Sequence, residues 1–135
     1  MTRQIFVNLP VKDLDKSVAF FTQLGFSFNP QFTDENATCM IVADNIFVML
    51  LVEKFFTTFT RKTIADAKTT TEVIVSLSAQ SKEQVDDTVS KAIAAGGTSP
   101  GPEQDHGWMY LKNFEDLDGH IWEIAWMDPA GMPQQ

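Results

Sequence analysis

One cysteine and two histidines stand in this 135-residue sequence, so an internal disulfide framework and a histidine-rich metal centre are both excluded. The cysteine, Cys39, sits in the apolar run Cys39-Met40-Ile41-Val42 and reads as a small buried hydrophobe rather than a nucleophile. No apolar run is long enough to cross a bilayer. Met1-Thr2-Arg3 leads straight into a strand-like segment without a signal-peptide core, so the expected location is cytoplasmic, with no membrane partner. Basic residues are also scarce, 10 against 18 acidic, and the formal charge of −8 repels phosphate backbones, which argues against a nucleic-acid partner. What remains is ordinary for a folded chain: 44% apolar and 21% charged residues, in a length that fits a single domain over residues 1–135.

Ile5 to Leu9 predicts a first strand, ended by Pro10, which cannot donate to a ladder. Asp13 is placed to cap a helix in which Leu14, Val18 and Phe21, with Phe20 and Leu24, share one side before Gly25 stops it. Phe26 to Phe32 predicts a short strand, and Thr38 to Val42 and Ile46 to Val52 a hairpin about Ala43-Asp44-Asn45. The order then restarts. Glu72 to Ser78 is a strand, and Ser81-Lys82-Glu83-Gln84 has the spacing of a capping box. Val85, Val89, Ala92 and Ile93 form the buried stripe of the helix that follows, which Gly96-Gly97 ends. Trp108 to Phe114 and His120 to Trp126 are strands on either side of the turn-rich Glu115-Asp116-Leu117-Asp118-Gly119. Two modules of the same order make the fold class α+β, with module 1 at about 1–57, a crossover at about 53–71 and module 2 at about 72–128. In the crossover, Phe55, Phe56 and Phe59 are expected either to anchor it to the core or to form a lid.

Asn8-Leu9-Pro10-Val11-Lys12-Asp13-Leu14-Asp15-Lys16-Ser17, with Phe20-Phe21 and Leu24-Gly25-Phe26, resembles the opening of vicinal-oxygen-chelate proteins, the glyoxalase, bleomycin-resistance and dioxygenase type. Asp116-Leu117-Asp118-Gly119-His120-Ile121-Trp122-Glu123 resembles their closing turn and glutamate strand. The resemblance implies two βαβββ modules forming a cupped mixed sheet around a ligand, and pairing of two chains as a homodimer. It also implies a divalent metal in many relatives, whose last ligand falls on Glu123. The other ligand positions fall on Phe6, Ile74 and a residue close to Leu50, none of which has a lone pair to donate, so neither a metal nor another cofactor is expected, and only a mixed site of Glu123 with His106 or His120 stays open.

Pairing Phe114 with His120 puts Leu111 opposite Glu123 and gathers Met109, Leu111, Asn113, Ile121, Glu123 and Ala125 on one face, with Trp108, Tyr110, Trp122, Ile124 and Trp126 on the other. The aromatic face suits packing on helices, which leaves the Glu123 face for the cup. Phe6 with Asn8, and Ile74 with Ser76, are the positions that face the cup in relatives. The expected small-molecule site is therefore Phe6, Asn8, Leu50, Ile74, Ser76, His106, Met109, Leu111 and Asn113 around a catalytic candidate, Glu123. Two functions stay open: a lyase or isomerase in which Glu123 moves a proton, and a sequestering protein of the bleomycin-resistance kind that binds a small organic molecule without chemistry.

Overall fold

The structure, a computed structural model, describes residues 3–99 and 101–131, so the Met1-Thr2 lead-in lies outside the described residues. β1 (Ile5–Val11) runs into α1 (Leu14–Gln23), then β2 (Ser27–Asn29), β3 (Ala37–Ala43) and β4 (Ile46–Val52). After α2 (Glu53–Phe56) and a 3-10 turn at Thr57–Phe59, the order repeats as β5 (Ile74–Ala79), α3 (Lys82–Ala94), β6 (Gln104–Asp105), β7 (Met109–Glu115) and β8 (Ile121–Met127). Each set forms its own four-stranded mixed sheet, ordered β1-β4-β3-β2 and β5-β8-β7-β6. In each, the first strand pairs parallel with the last, and the remaining pairs are antiparallel. The chain divides between Ala65 and Asp66 into two compact units, one per sheet, which is the expected α+β pair of βαβββ modules. Among the described residues no helix is long and apolar enough to cross a membrane.

The helix ends follow the sequence signals. Asp13 Oδ1 accepts from the Lys16 N–H at 3.1 Å to open α1. Ser81 Oγ accepts from the Gln84 N–H at 3.0 Å, and Gln84 Oε1 reaches back to the Gln80 N–H at 2.6 Å, so α3 opens with two of its stray donors satisfied. Gly25 and Gly96 close α1 and α3 at positive φ. The strand predicted to run to Phe32 stops at Asn29, because Pro30 brings no N–H and the Asn29 side chain takes the Gln31 N–H at 2.9 Å to start a 3-10 turn. Ile93, expected in the buried stripe of α3, is 42% exposed; Val85, Val89 and Ala92 carry the packing. In the crossover, Phe55 and Phe59 meet edge to face at 5.1 Å, but Phe59 is 68% exposed and does not anchor the segment.

In module 1, Leu9, Val11, Met40, Val48 and Leu50 are buried on the sheet face toward α1, whose Leu14, Ser17, Phe20 and Phe21 are buried with them. Cys39 is buried too, and burial pushes its thiol up, away from the reactive thiolate. In module 2, Trp122 is fully buried and stacks on its cross-strand partner Phe114 with ring centroids 6.2 Å apart. A polar clamp holds α3 across β7: Tyr110 donates to Asp86 Oδ1 at 2.6 Å, and Lys112 Nζ lies 2.8 Å from the same oxygen. The Lys112 and Tyr110 hydrogen bonds hold the Asp86 carboxyl below its ordinary value and in turn push Lys112 and Tyr110 up. Trp126, expected in the core with Trp122, is only half-buried and sits under the Lys82 ammonium, 5.7 Å from its ring centroid.

Trp122→Ala should lower unfolding free energy by about 3–5 kcal/mol in denaturant melts, the usual cost of truncating a buried aromatic. A loss under about 1 kcal/mol would place this side chain at the surface.

Candidate functional site

Each sheet has one face turned toward its helix and one turned away. On the second sheet, the register pairs Ile74 with Ile121, Ser76 with Glu123 and Ser78 with Ala125 across β5 and β8. Across β7 and β8 it pairs Asn113 with Glu123, Leu111 with Ala125 and Met109 with Met127. Direct partners point the same way, so Ile74, Ser76, Met109, Leu111, Asn113, Ile121 and Glu123 share the face away from α3. This is the face composition expected from alternation, but the partners differ by two residues: Glu123 lies opposite Asn113, not Leu111.

The turn accounts for the shift. Asp116 is buried, and its Oδ1 accepts the N–H groups of Asp118 and His120, both at 3.0 Å, while the Asp116 N–H donates to the His120 carbonyl. His120 thus belongs to the turn, and the strand starts at Ile121. Asp116 Oδ2 takes the Trp122 indole N–H at 3.0 Å, locking the turn to the core. Burial pushes the Asp116 carboxyl up, and these donors and the nearby His120 pull it back. Gly119 closes the turn at φ +90°, where an added Cβ would lie 2.8 Å from the Lys68 backbone nitrogen.

The polar centre of the face is three side chains. Ser76 Oγ donates to Glu123 Oε1 at 2.8 Å, which fixes the carboxylate, and Glu123 is half-buried. Its other oxygen has no hydrogen-bond partner among the described residues. Asn113 Oδ1 is shut away from solvent and also unpartnered. Around them are Ile74, 51% exposed, half-buried Met109 and Ile121, and buried Leu111. His106 is exposed at the rim; its N–H donates to the Met109 carbonyl and its Nε2 lies 3.4 Å from Gln104 Oε1, where Gln104 is the partner of Leu111.

On the first sheet, Phe6 and Asn8 share the face away from α1 as expected, with Phe6 stacked on Phe47 at 5.0 Å. Leu50 is not with them. The register pairs it with Leu9 and leaves it fully buried toward α1, so Met49, the direct partner of Asn8, holds the place assigned to Leu50. The all-apolar run Ile46–Val52 carries no alternation from which its faces could be told. Phe47 and Met49 were missed for that reason, and the signal that would have found them is the parallel register with β1. Gln104 was missed because a two-residue strand in a polar segment leaves no pattern.

The donors on the second open face are a carboxylate, a hydroxyl and an amide. A divalent ion of the kind used by metal-dependent vicinal-oxygen-chelate proteins takes about three or four protein ligands, so this set does not fit one. Among the described residues, no three His, Cys, Asp or Glu side chains gather as such an ion needs.

Two four-stranded modules of the same order, each βαβββ, define a paired-module class of fold, and known proteins share it. Residues 3–43 match the family model of the bleomycin resistance protein-like N-terminal region. A hypothetical protein from S. aureus, SA1046, is 31% identical with TM-score 0.78, over 93% of this chain and 94% of that one. A glyoxalase/bleomycin resistance protein/dioxygenase family enzyme from Burkholderia phytofirmans is 18% identical with TM-score 0.76, over 93% and 99%. The fosfomycin resistance protein FosX from Listeria monocytogenes is 20% identical with TM-score 0.66, over 93% of each chain, a likeness of fold. No curated protein matches the sequence significantly. The fold is thus the one seen in glyoxalase and bleomycin resistance proteins, and the N-terminal third of the chain matches the bleomycin resistance protein-like family model.

Leu50→Ala should cost about 2–5 kcal/mol of stability, and Met49→Ala clearly less, since only the first opens a cavity in the core under α1. Urea melts of the two variants decide it, and the reverse order would mean that β4 shows its other face to the helix.

Proposed function

We propose that this protein binds a small organic molecule on the open face of its second sheet, against Ile74, Met109 and Leu111, with Ser76, Asn113 and Glu123 as the polar contacts. The observation that carries the reading is the pairing of a carboxylate held by Ser76 at 2.8 Å with an Asn113 carbonyl oxygen that has no partner. An acceptor buried without a donor costs about 1–3 kcal/mol, which a ligand N–H or O–H would recover once the Asn113 amide turns its carbonyl outward. Few polar groups set in an apolar surface are the usual make-up of a small-molecule site. Sequestration of the bleomycin-resistance kind needs nothing more than this.

A second reading, lyase or isomerase chemistry, is favoured by the free oxygen of Glu123, which could take a proton from a carbon acid resting on the apolar residues. Homodimer pairing belongs to the same proposal, and the apolar side chains left exposed on or beside the edge strands, Ile5 at 53% and Val73 at 54%, support it.

The test is a calorimetric screen of small organic compounds against wild type, Ser76→Ala and Glu123→Gln. Compounds that bind wild type should bind both variants at least about fivefold more weakly, the loss of about one hydrogen bond, while the variants keep their melting temperatures. Equal affinity for all three proteins would remove the site from this face. Loss of a carbon-bound proton from a bound compound into D2O, abolished in Glu123→Gln, would select the enzyme over the sequestering protein.

A further inference from the structure

The charges on the second sheet are sorted by face. Its strands carry one basic residue, Lys112, which lies on the α3 side and is held 2.8 Å from Asp86. The open face carries Glu123 and Glu115 and no strand lysine or arginine. A ligand presenting a carboxylate or phosphate to this patch would meet Glu123 with no cation from these strands to offset the repulsion.

Of the three polar side chains, Ser76 and Glu123 have no donor left to offer a ligand, and Asn113 offers either end of its amide. The Ser76 proton is spent on Glu123 Oε1, so the hydroxyl keeps only lone pairs to offer a ligand. Glu123 Oε2 is open. Neither end of the Asn113 amide is hydrogen-bonded among the described residues, and Oδ1 is the buried end. An amide that nothing holds turns about its last torsion at small cost, because that torsion has a broad profile. It can therefore swing its carbonyl toward a donor placed beside the Glu123 carboxylate, directly across the strand pair. A hydroxyl brings one proton and satisfies one of these acceptors, whereas an ammonium brings three donors and a charge, and charge-assisted hydrogen bonds are about twice as strong as neutral ones.

We infer that the ligand of this patch is an organic ammonium ion on an apolar arm, its N–H groups shared among Glu123 Oε2, Asn113 Oδ1 and Ser76 Oγ, its arm lying on Ile74, Leu111 and Ile121. The inference rests on the small-molecule reading of the same face and names the class of molecule. The chain's net charge of −8 attracts such a cation at long range.

Three probes of one shape separate the possibilities: 2-phenylethylammonium, 2-phenylethanol and 3-phenylpropanoate, titrated into isotope-labelled protein with amide and side-chain NMR shifts as the readout. The ammonium should shift Ser76, Asn113 and Glu123 and bind about tenfold or more tightly than the alcohol at low salt. That advantage should shrink as salt is raised, which requires no variant. In Glu123→Gln the two should bind within about threefold of each other. The Asn113→Leu variant, with no carbonyl to offer, should also lower the ammonium's affinity and leave the alcohol's nearly unchanged. Equal affinity of ammonium and alcohol, with shifts at the same three residues, would overturn the cation and leave the binding site standing. Preference for the propanoate would overturn it too. No shift at these residues with any probe up to its solubility limit would overturn both.

Discussion

The Asp116 carboxylate is the constraint on which the second module depends. One of its oxygens takes the indole N–H of Trp122 from the core, and the other takes two backbone N–H groups of the turn, so turn and core are joined through a single buried group. That junction sets the register of β7 on β8, and the register places Asn113 opposite Glu123 and Phe114 opposite Trp122. Slipping one strand by one residue would send its side chains to the opposite faces, driving a carboxylate into the core and an indole to the surface. The penalty for an unpaired buried charge makes that slip prohibitive, so the buried carboxylate of Asp116 specifies where Glu123 lies.

The two modules share a topology but not a chemistry. Among the described residues, no strand of module 1 carries a charged side chain, and its open face is built from Phe6, Asn8, Phe47 and Met49 with their neighbours. Module 2 keeps the same strand order while placing Glu123, Asn113 and Ser76 on its open face. The duplicated fold thus supplies one apolar face and one face with a polar centre, and the chemistry available to the protein is concentrated on the second. Phe6 on the first open face and Ile74 on the second offer contact area instead of lone pairs.

Much of this architecture is legible in the amino-acid sequence. Caps at Asp13 and Ser81, the glycine stops and the aromatics at alternate positions of β7 and β8 each leave a local trace, and each leads to the element or face observed. Assignments fail where the trace is weak or depends on distant partners. β4 is apolar throughout, so its faces are set by pairing with β1, and Leu50 lies on the side opposite to the one expected. The β7–β8 register is displaced by two from the expected pairing because the backbone bonds of Asp116 draw His120 into the turn, a detail that composition does not carry. An even displacement preserves the faces, which is why the grouping of Glu123 with Asn113 holds despite a wrong choice of partner. The Ser76 bond that holds Glu123 joins residues from opposite ends of the module, and only the folded sheet brings them together.

The central claim is that Asn113 and Glu123 act on one bound group, and a double-mutant cycle reads this directly. Binding of 2-phenylethylammonium would be measured for wild type, Asn113→Ala, Glu123→Gln and the double variant. Side chains sharing one ligand group should couple by about 0.5–3 kcal/mol, so the double variant loses less than the two single losses combined. Additivity within about 0.3–0.5 kcal/mol would mean that the two residues act on separate features, and would contradict the account.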